Sequence, residues 1–452
     1  MSVVMKFGGT SVADPDAIER LIAIVRAQAT AHTTGAPVVV VSALARVTDA
    51  LVAVAQLAED GEGDRASAAL RALVDRHVAV ATAVTTAGRA RLLDEIRREF
   101  DELVGLVHAL AVLREVSPRS RDAVLAVGEI VSSRIVAAAL NDHGVRAEWI
   151  DARSVLVTDA EHTSAAPDMD ETRARALAAL APLSAQDTVA VLGGFIGATE
   201  AGITSTLGRG GSDYSAAIFG ASLDAAEIQI WTDVDGMLTA DPRIVPSPRL
   251  VPRLSFAEAS ELSYFGAKVL HPSTILPAVA KNIPVRILNS RRPDNTGTMI
   301  TSNGAPASGQ LTAIACKRDV TVIDITSTRM LMAHGFLRRL FEVFERFRTA
   351  VDVVTTSEVS VSVTVDDTRR LDAILDNLHH FAEASCEREM AIICAVGENL
   401  RSDPMLFGRA VTALERIPLR LVSQAASRRN ITFVLRDADL PHAMMRLHDT
   451  FF

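Results

Sequence analysis

Apolar positions along the chain follow two regimes. Through roughly the first 290 residues, short apolar runs alternate with stretches of helical spacing. Val3 to Phe7 is an apolar run closed by Gly8-Gly9, and Asp14-Pro15 offers a helix N-cap with proline at the first helical position. Ile18, Leu21, Ile22 and Val25 then recur on one helix face. Val38 to Val41 is four valines in a row, the pattern of a strand buried on both sides. Thr188 to Leu192, Ile228 to Trp231 and Val285 to Leu288 repeat it, and residues 64 to 142 read as a long helical stretch broken near Ser117-Pro118. Such alternation predicts an α/β domain with a mainly parallel sheet sandwiched by helices.

Residues 293 to 310 are rich in Pro, Gly, Ser and Asn and read as a linker. Beyond them a shorter unit appears twice. Thr321 to Ile325, Gly335 to Phe347 and Ala350 to Val365 give strand, helix and an alternating hairpin-like run. Met390 to Val396, Pro404 to Leu414 and Leu419 to Leu435 repeat that order, a degenerate tandem of small α+β units. The expected domains are 1–300, 312–386 and 388–452, with interleaving of strands between the last two left open.

Composition narrows the function. A chain of 452 residues is too long for one core. Its net charge of −9, from 46 basic against 55 acidic residues, argues against a nucleic-acid partner. Three sparse cysteines, Cys316, Cys386 and Cys394, imply no disulfide framework and fit a reducing cytoplasm. The opening MSVVMKFGG is not expected to be a signal peptide, and no apolar run of about 18 residues is read, so no membrane span is expected.

Four segments carry candidate chemistry. Lys6-Phe7-Gly8-Gly9-Thr10-Ser11 stands where a strand gives way to a helix, so its backbone can approach a phosphate while Lys6 supplies charge. In Thr206-Leu207-Gly208-Arg209-Gly210-Gly211-Ser212-Asp213, Arg209 can grip a carboxylate through two N–H bonds, and Gly210-Gly211 can present backbone donors. Asp213 can position a lysine or hold magnesium. Trp231-Thr232-Asp233-Val234-Asp235-Gly236, followed by Asp241-Pro242-Arg243, falls at the end of a buried strand, where open α/β sheets bind ligands. Phe265-Gly266-Ala267-Lys268 supplies a second lysine. Two lysines, an arginine and glycine-lined backbone suit phosphoryl transfer, and no Ser/His/Asp or Cys/His arrangement competes. A carboxylate acceptor is ionised at neutral pH and needs no general base.

KFGGTSV, TLGRGGSDYSA, WTDVDGMLTADPR and FGAKVLHP, in that order, resemble the aspartate kinase family within the amino-acid-kinase fold. The tail, through ITSTRMLMAHGFLRRLF and VDVVTTSEVSVSV, resembles paired ACT modules of ferredoxin-like fold. The resemblance implies transfer of the γ-phosphoryl group of ATP to the β-carboxylate of L-aspartate, giving 4-phospho-L-aspartate, the first step of lysine, threonine and methionine biosynthesis. It implies Lys6, Asp213 and Lys268 as catalytic residues. Gly8, Gly9, Gly210, Gly211, Thr232, Asp233, Leu238, Arg243, Lys268 and Val269 would meet the nucleotide. Thr48, Glu129, Phe195, Arg209 and Ser212 would form the aspartate pocket, with Arg209 on the α-carboxylate and Glu129 on the ammonium. Met330, Phe336, Leu337, Asp352, Ser357 and Glu358 match effector positions, with lysine the leading effector, threonine the other, and at least a dimer implied. Magnesium would accompany ATP without a dedicated protein cage. Because nothing follows Phe452, no second enzyme domain is expected.

Departures from the family pattern are Arg46, often glycine, and Asp49, often asparagine, both flanking Thr48. Leu238 stands where tyrosine is common, and Ala333 and Ala350 replace serines of the lysine-regulated branch. Another amino-acid kinase, or a ligand sensor without turnover, are the alternatives.

Overall fold

The computed structural model describes residues 2–30, 35–266, 272–304, 310–327, 334–424 and 427–452. The chain forms two compact units, the first comprising Met1–Met237, Pro252–Phe256 and Val269–Asn303, the second Leu238–Val251, Ala257–Lys268 and Gly304–Phe452.

The first unit is built on an eight-stranded sheet. Its strand order is Ala147–Trp149, Val189–Gly193, Val38–Val41, Val3–Phe7, Glu227–Thr232, Val285–Asn289, Thr298–Thr301, Arg253–Ser255. The first six run parallel, as the buried apolar runs require. Alternation then decides which side each residue serves. Val3, Met5, Phe7, Val39 and Val41 enter a core shared with the helices Pro15–Thr30, Val47–Glu59, Gly63–Val84, Arg89–Leu113 and Pro118–Asp142. Lys6 points to the other face, toward the helix Gly211–Ser222. Asp14 caps the first helix as read, accepting from the Ala17 N–H at 2.9 Å.

Three features depart from the sequence reading. Besides the break read near Ser117-Pro118, the long helical stretch breaks once more at residues 85–88, because Thr85 is extended and Gly88 adopts φ +69°, the left-handed region open to glycine. The expected linker contains the strand Thr298–Thr301, which pairs antiparallel with Val285–Asn289 and buries alternate residues. The helix Pro118–Asp142 is long and apolar enough to cross a membrane, by length and composition, yet most of its apolar stretch is buried within the structure.

His77 lies fully buried in this core, its Nδ1–H donating to the Leu73 carbonyl at 2.7 Å. Burial pushes its pKa down to about 4. The unfolded chain therefore binds a proton that the native state refuses between about pH 6.5 and 4, and stability falls as pH drops through that window. His77→Phe should remove roughly 3 kcal/mol of the stability lost between those pH values, as read by urea unfolding at each pH.

The second unit carries a six-stranded sheet in the order Val354–Thr356, Ser360–Val365, Ala313–Thr326, Glu383–Val396, Asn430–Arg436, Leu419–Ser423. Its two central strands, 14 residues each, are antiparallel and serve two cores. Ile323 and Ile325 pack with the helices Phe336–Arg346 and Leu371–His379. Ile314 packs instead with Ala391, Ile393 and the helices Pro404–Ala413 and Leu440–Phe451. Each half is a βαββαβ unit, and residues 313–316 complete the half whose other strands follow residue 389. The register shifts beside Lys317-Arg318-Asp319, with Asp319 at φ +56° and Glu389 at φ +59°. That charged triplet is a bulge inside one strand, so the strand read from Thr321 begins at Ala313.

Candidate active site

The parallel strands end together at the Gly8-Gly9 turn and at Thr232. Phe7 pairs with Trp231 in register, their rings stack at 6.0 Å, and the Gly8 N–H donates to the Trp231 carbonyl at 3.0 Å. This is the strand-end position at which open α/β sheets hold ligands. Beside it lies a cleft of about 680 Å³ lined by Lys6, Gly9, Thr48, Glu129, Phe195, Arg209, Gly210, Gly211, Ser212 and Asp213, among others.

Lys6 is 8% exposed and forms an ion pair with Asp213 at 2.7 Å. Asp213 sits in the first turn of the helix Gly211–Ser222, whose N-terminus faces the cleft through Gly210, Gly211 and Ser212. Gly210 adopts φ +72°, a conformation glycine takes without strain, and this lets the chain turn directly into the helix. Phe195, also at φ +67°, is held by its N–H donating to Ser215 Oγ at 2.9 Å. A Cβ on Gly211 would approach the Phe195 ring to 2.6 Å, so only glycine fits between them.

Glu129 is the least ordinary group in the cleft. It is 3% exposed, on the buried face of the helix Pro118–Asp142. Oε1 accepts from the Ala43 N–H at 3.2 Å, whereas Oε2 is buried without a hydrogen-bond partner. Burial raises its pKa to about 8, against the lowering effect of the Ala43 N–H. A buried carboxylate with an open lone pair calls for a cation. Arg209 is exposed at the cleft and has no ion-pair partner among the described residues.

Thr232 and Asp233 do not line this cleft but lie at the strand end beside Gly8, Thr232 Oγ1 donating to Asp233 at 3.3 Å. Leu238 and Arg243 belong to the second unit, where Arg243 pairs with Asp241 at 2.6 Å and Leu238 bridges to Leu250. Lys268, Val269, Met330 and Ala333 lie outside the described residues.

The family model described as the amino acid kinase family matches residues 1–289, and an ACT domain model matches 393–451. The chain is 35% identical over 464 residues to the lysine-sensitive aspartokinase 3 of Escherichia coli, covering all of this chain and 99% of that one. It is 36% identical over 466 residues to the chloroplastic aspartokinase 3 of Arabidopsis thaliana, covering 82% of that protein. The chain belongs to the amino acid kinase family, among the aspartokinases. Two structures of E. coli aspartokinase III, one with lysine and aspartate and one with aspartate and ADP, each match all of this chain with a TM-score of 0.84 and 34% identity.

Arg46 departs from the family pattern at a position with backbone consequences. It caps the helix Val47–Glu59 at φ +65°, the region that favours glycine, while its side chain is exposed at the cleft. Arg46→Gly is expected to stabilise this aspartokinase by about 1 kcal/mol, read as a higher urea midpoint at unchanged slope.

In the second unit, the reading of Asp352 as partner of an effector amine meets an ammonium already in place. Lys317 Nζ lies 2.8 Å from Asp352 Oδ1 and 2.7 Å from Asp366, and the Tyr264 hydroxyl donates to Asp352 at 3.0 Å. Asp352 Oδ2 remains buried without a partner. Phe336 and Leu337 open the helix Phe336–Arg346, and Ser357 and Glu358 form an exposed turn, Ser357 N–H donating to the Ser360 carbonyl at 2.8 Å.

Sequence reasoning passed over two supports of the cleft. Arg76 donates to the carbonyls of Ala45 at 2.8 Å and Ala13 at 3.2 Å, pinning the loop before Thr48. Asp122, fully buried, gathers donors from three distant positions.

Proposed function

We propose that this protein transfers the γ-phosphoryl group of ATP to the β-carboxylate of L-aspartate, giving β-aspartyl phosphate and ADP. The observation that carries it is the cleft itself. A buried carboxylate with an open oxygen, Glu129, and a guanidinium with no ion-pair partner among the described residues, Arg209, share it with the Lys6–Asp213 pair. Glu129 takes the substrate ammonium and Arg209 the α-carboxylate, which leaves the side-chain carboxylate to face Lys6. Thr48, Ser212 and the Phe195 ring close around the substrate. A carboxylate oxygen forms the new bond to the γ-phosphorus while the bond to the ADP oxygen breaks, and that oxygen keeps the electron pair. No proton must be removed from the acceptor.

Lys6 neutralises the charge that spreads over the transferring group, and Asp213 fixes where its ammonium stands. The backbone of Gly8, Gly9, Gly210 and Gly211 lines the phosphates, with Thr232 and Asp233 at the rest of the nucleotide. When bound with ATP, magnesium would supply further charge neutralisation at the phosphates. Among the described residues no three acidic, His or Cys side chains form a metal cage, so the phosphates of ATP rather than the protein would hold it.

The tail binds an amino-acid effector, with lysine favoured, at Met330, Phe336, Leu337, Asp352, Ser357 and Glu358. The lysine-bound relative and the buried open oxygen of Asp352 support this. The assembly is at least a dimer through these modules, as the exposed Val354 and Val422 on the two edge strands favour. The test is ATP-dependent acyl phosphate formation trapped by hydroxylamine, with L-aspartate, L-glutamate and N-acetylglutamate, each with and without lysine or threonine. Turnover is expected with aspartate alone and suppression by lysine. Silence with all three acceptors, from folded protein that binds ATP, would overturn the reading.

A further inference from the structure

Asp122 lies on the helix that carries Glu129, seven residues earlier, which is two turns and the same face. It is 0% exposed, and its carboxylate accepts from donors elsewhere in the chain. Thr206 Oγ1 donates to Oδ1 at 2.6 Å, His162 Nδ1 to Oδ2 at 2.7 Å, and the Thr163 N–H lies 3.1 Å from both oxygens. These donors sit on two segments that are themselves joined, because the Ala165 N–H donates to the Thr206 carbonyl at 2.9 Å. Thr163 is held at φ +72°, a conformation uncommon for threonine, and its carbonyl lies 3.0 Å from where a Cβ on Gly208 would stand. Thr206 ends the strand Thr204–Thr206, and Arg209 follows three residues later.

We infer that Asp122 is a positioning residue for substrate capture, tying the Thr163 and Thr206 segments to the Glu129 helix so that Arg209 stands at a fixed distance from Glu129. The inference rests on the assignment of Glu129 to the substrate ammonium and Arg209 to its α-carboxylate. One helix then sets both grips on the amino acid. Neither Asp122 nor His162 lines the cleft, so both act through the segments they hold. A carboxylate suits this point because the convergent groups are all donors, and an amide would turn its own N–H₂ toward them. Loosening the segments should weaken aspartate capture while leaving phosphoryl transfer intact, since the Lys6–Asp213 pair has no bond to this cluster.

The test compares Thr206→Val, Thr206→Ser and His162→Phe in the full chain, by steady-state kinetics in each substrate. Thr206→Val and His162→Phe should raise KM for L-aspartate about tenfold, with kcat and KM for ATP within about twofold of the parent. Thr206→Ser, which keeps the hydroxyl, should return KM for aspartate to within about twofold. Folded Thr206→Val and His162→Phe with the parent's KM for aspartate would overturn the inference. So would a parallel rise in KM for ATP, or failure of Thr206→Ser to rescue. Glu129→Gln separates the two claims. If it leaves aspartate affinity unchanged the substrate assignment fails, whereas an effect of Glu129→Gln without one of Thr206→Val removes only the role of Asp122.

Discussion

Lys6→Met is expected to lower kcat by about three orders of magnitude while leaving KM for L-aspartate within a few-fold. Lys6 leaves its strand at the end where Gly8 turns, and burial lets its ammonium act with little solvent screening. The charge it opposes develops on the transferring phosphoryl group, so its loss is felt in the transition state more than in binding. Asp213 strengthens this dependence. Its ion pair with Lys6 at 2.7 Å fixes the ammonium, and removing the lysine leaves an uncompensated carboxylate next to the phosphates. Lys6→Arg should therefore recover only a small part of the rate, since a planar guanidinium cannot occupy the same point beside Asp213. Initial-rate kinetics on variants with unchanged circular dichroism measure both. Turnover within a few-fold of the parent in Lys6→Met would remove Lys6 from the chemistry.

Glu129→Gln is expected to raise KM for L-aspartate by about two orders of magnitude and, at the same time, to stabilise the ligand-free protein. Both follow from one buried carboxyl whose pKa burial raises to about 8. The folded, ligand-free protein holds its proton where the unfolded chain, with an ordinary value of 4.5, has released it. Between those two values the native state binds more protons, so the contribution of Glu129 to stability falls as pH rises through the window. At pH 7 removing the charge should add about 3 kcal/mol to the unfolding free energy. Aspartate binding runs the other way, because its ammonium pairs with the ionised form. KM for aspartate should fall about tenfold per pH unit below pH 8 and level off above it, and Glu129→Gln should abolish the slope. Thermal melts with and without aspartate complete the test. A variant that is less stable at pH 7, or that keeps the pH slope, would exclude Glu129 as the ammonium site.

Much of the site was legible because its residues break their surroundings. Glu129 interrupts an apolar helix face, and Lys6, Arg209 and Asp213 stand among glycines between apolar runs. Asp122 interrupts the same helix and carries the same signal, but its meaning depends on His162 and Thr206, 40 and 84 residues away. Local pattern cannot pair residues at that separation. The parallel sheet was legible from its valine-rich runs, whereas Thr298–Thr301 was hidden by glycine and asparagine on both sides, a flank that reads as linker. The long strand Ala313–Thr326 was cut short for a similar reason, since a charged bulge and a turn have the same composition. Arg46 shows the converse, a backbone conformation that no side-chain pattern reveals.

The most direct test of the central claim is the identity of the trapped product. With ATP, magnesium, L-aspartate and hydroxylamine, the account predicts β-aspartyl hydroxamate formed in step with ADP. An α-hydroxamate, or ADP released from folded protein without any hydroxamate, would contradict it.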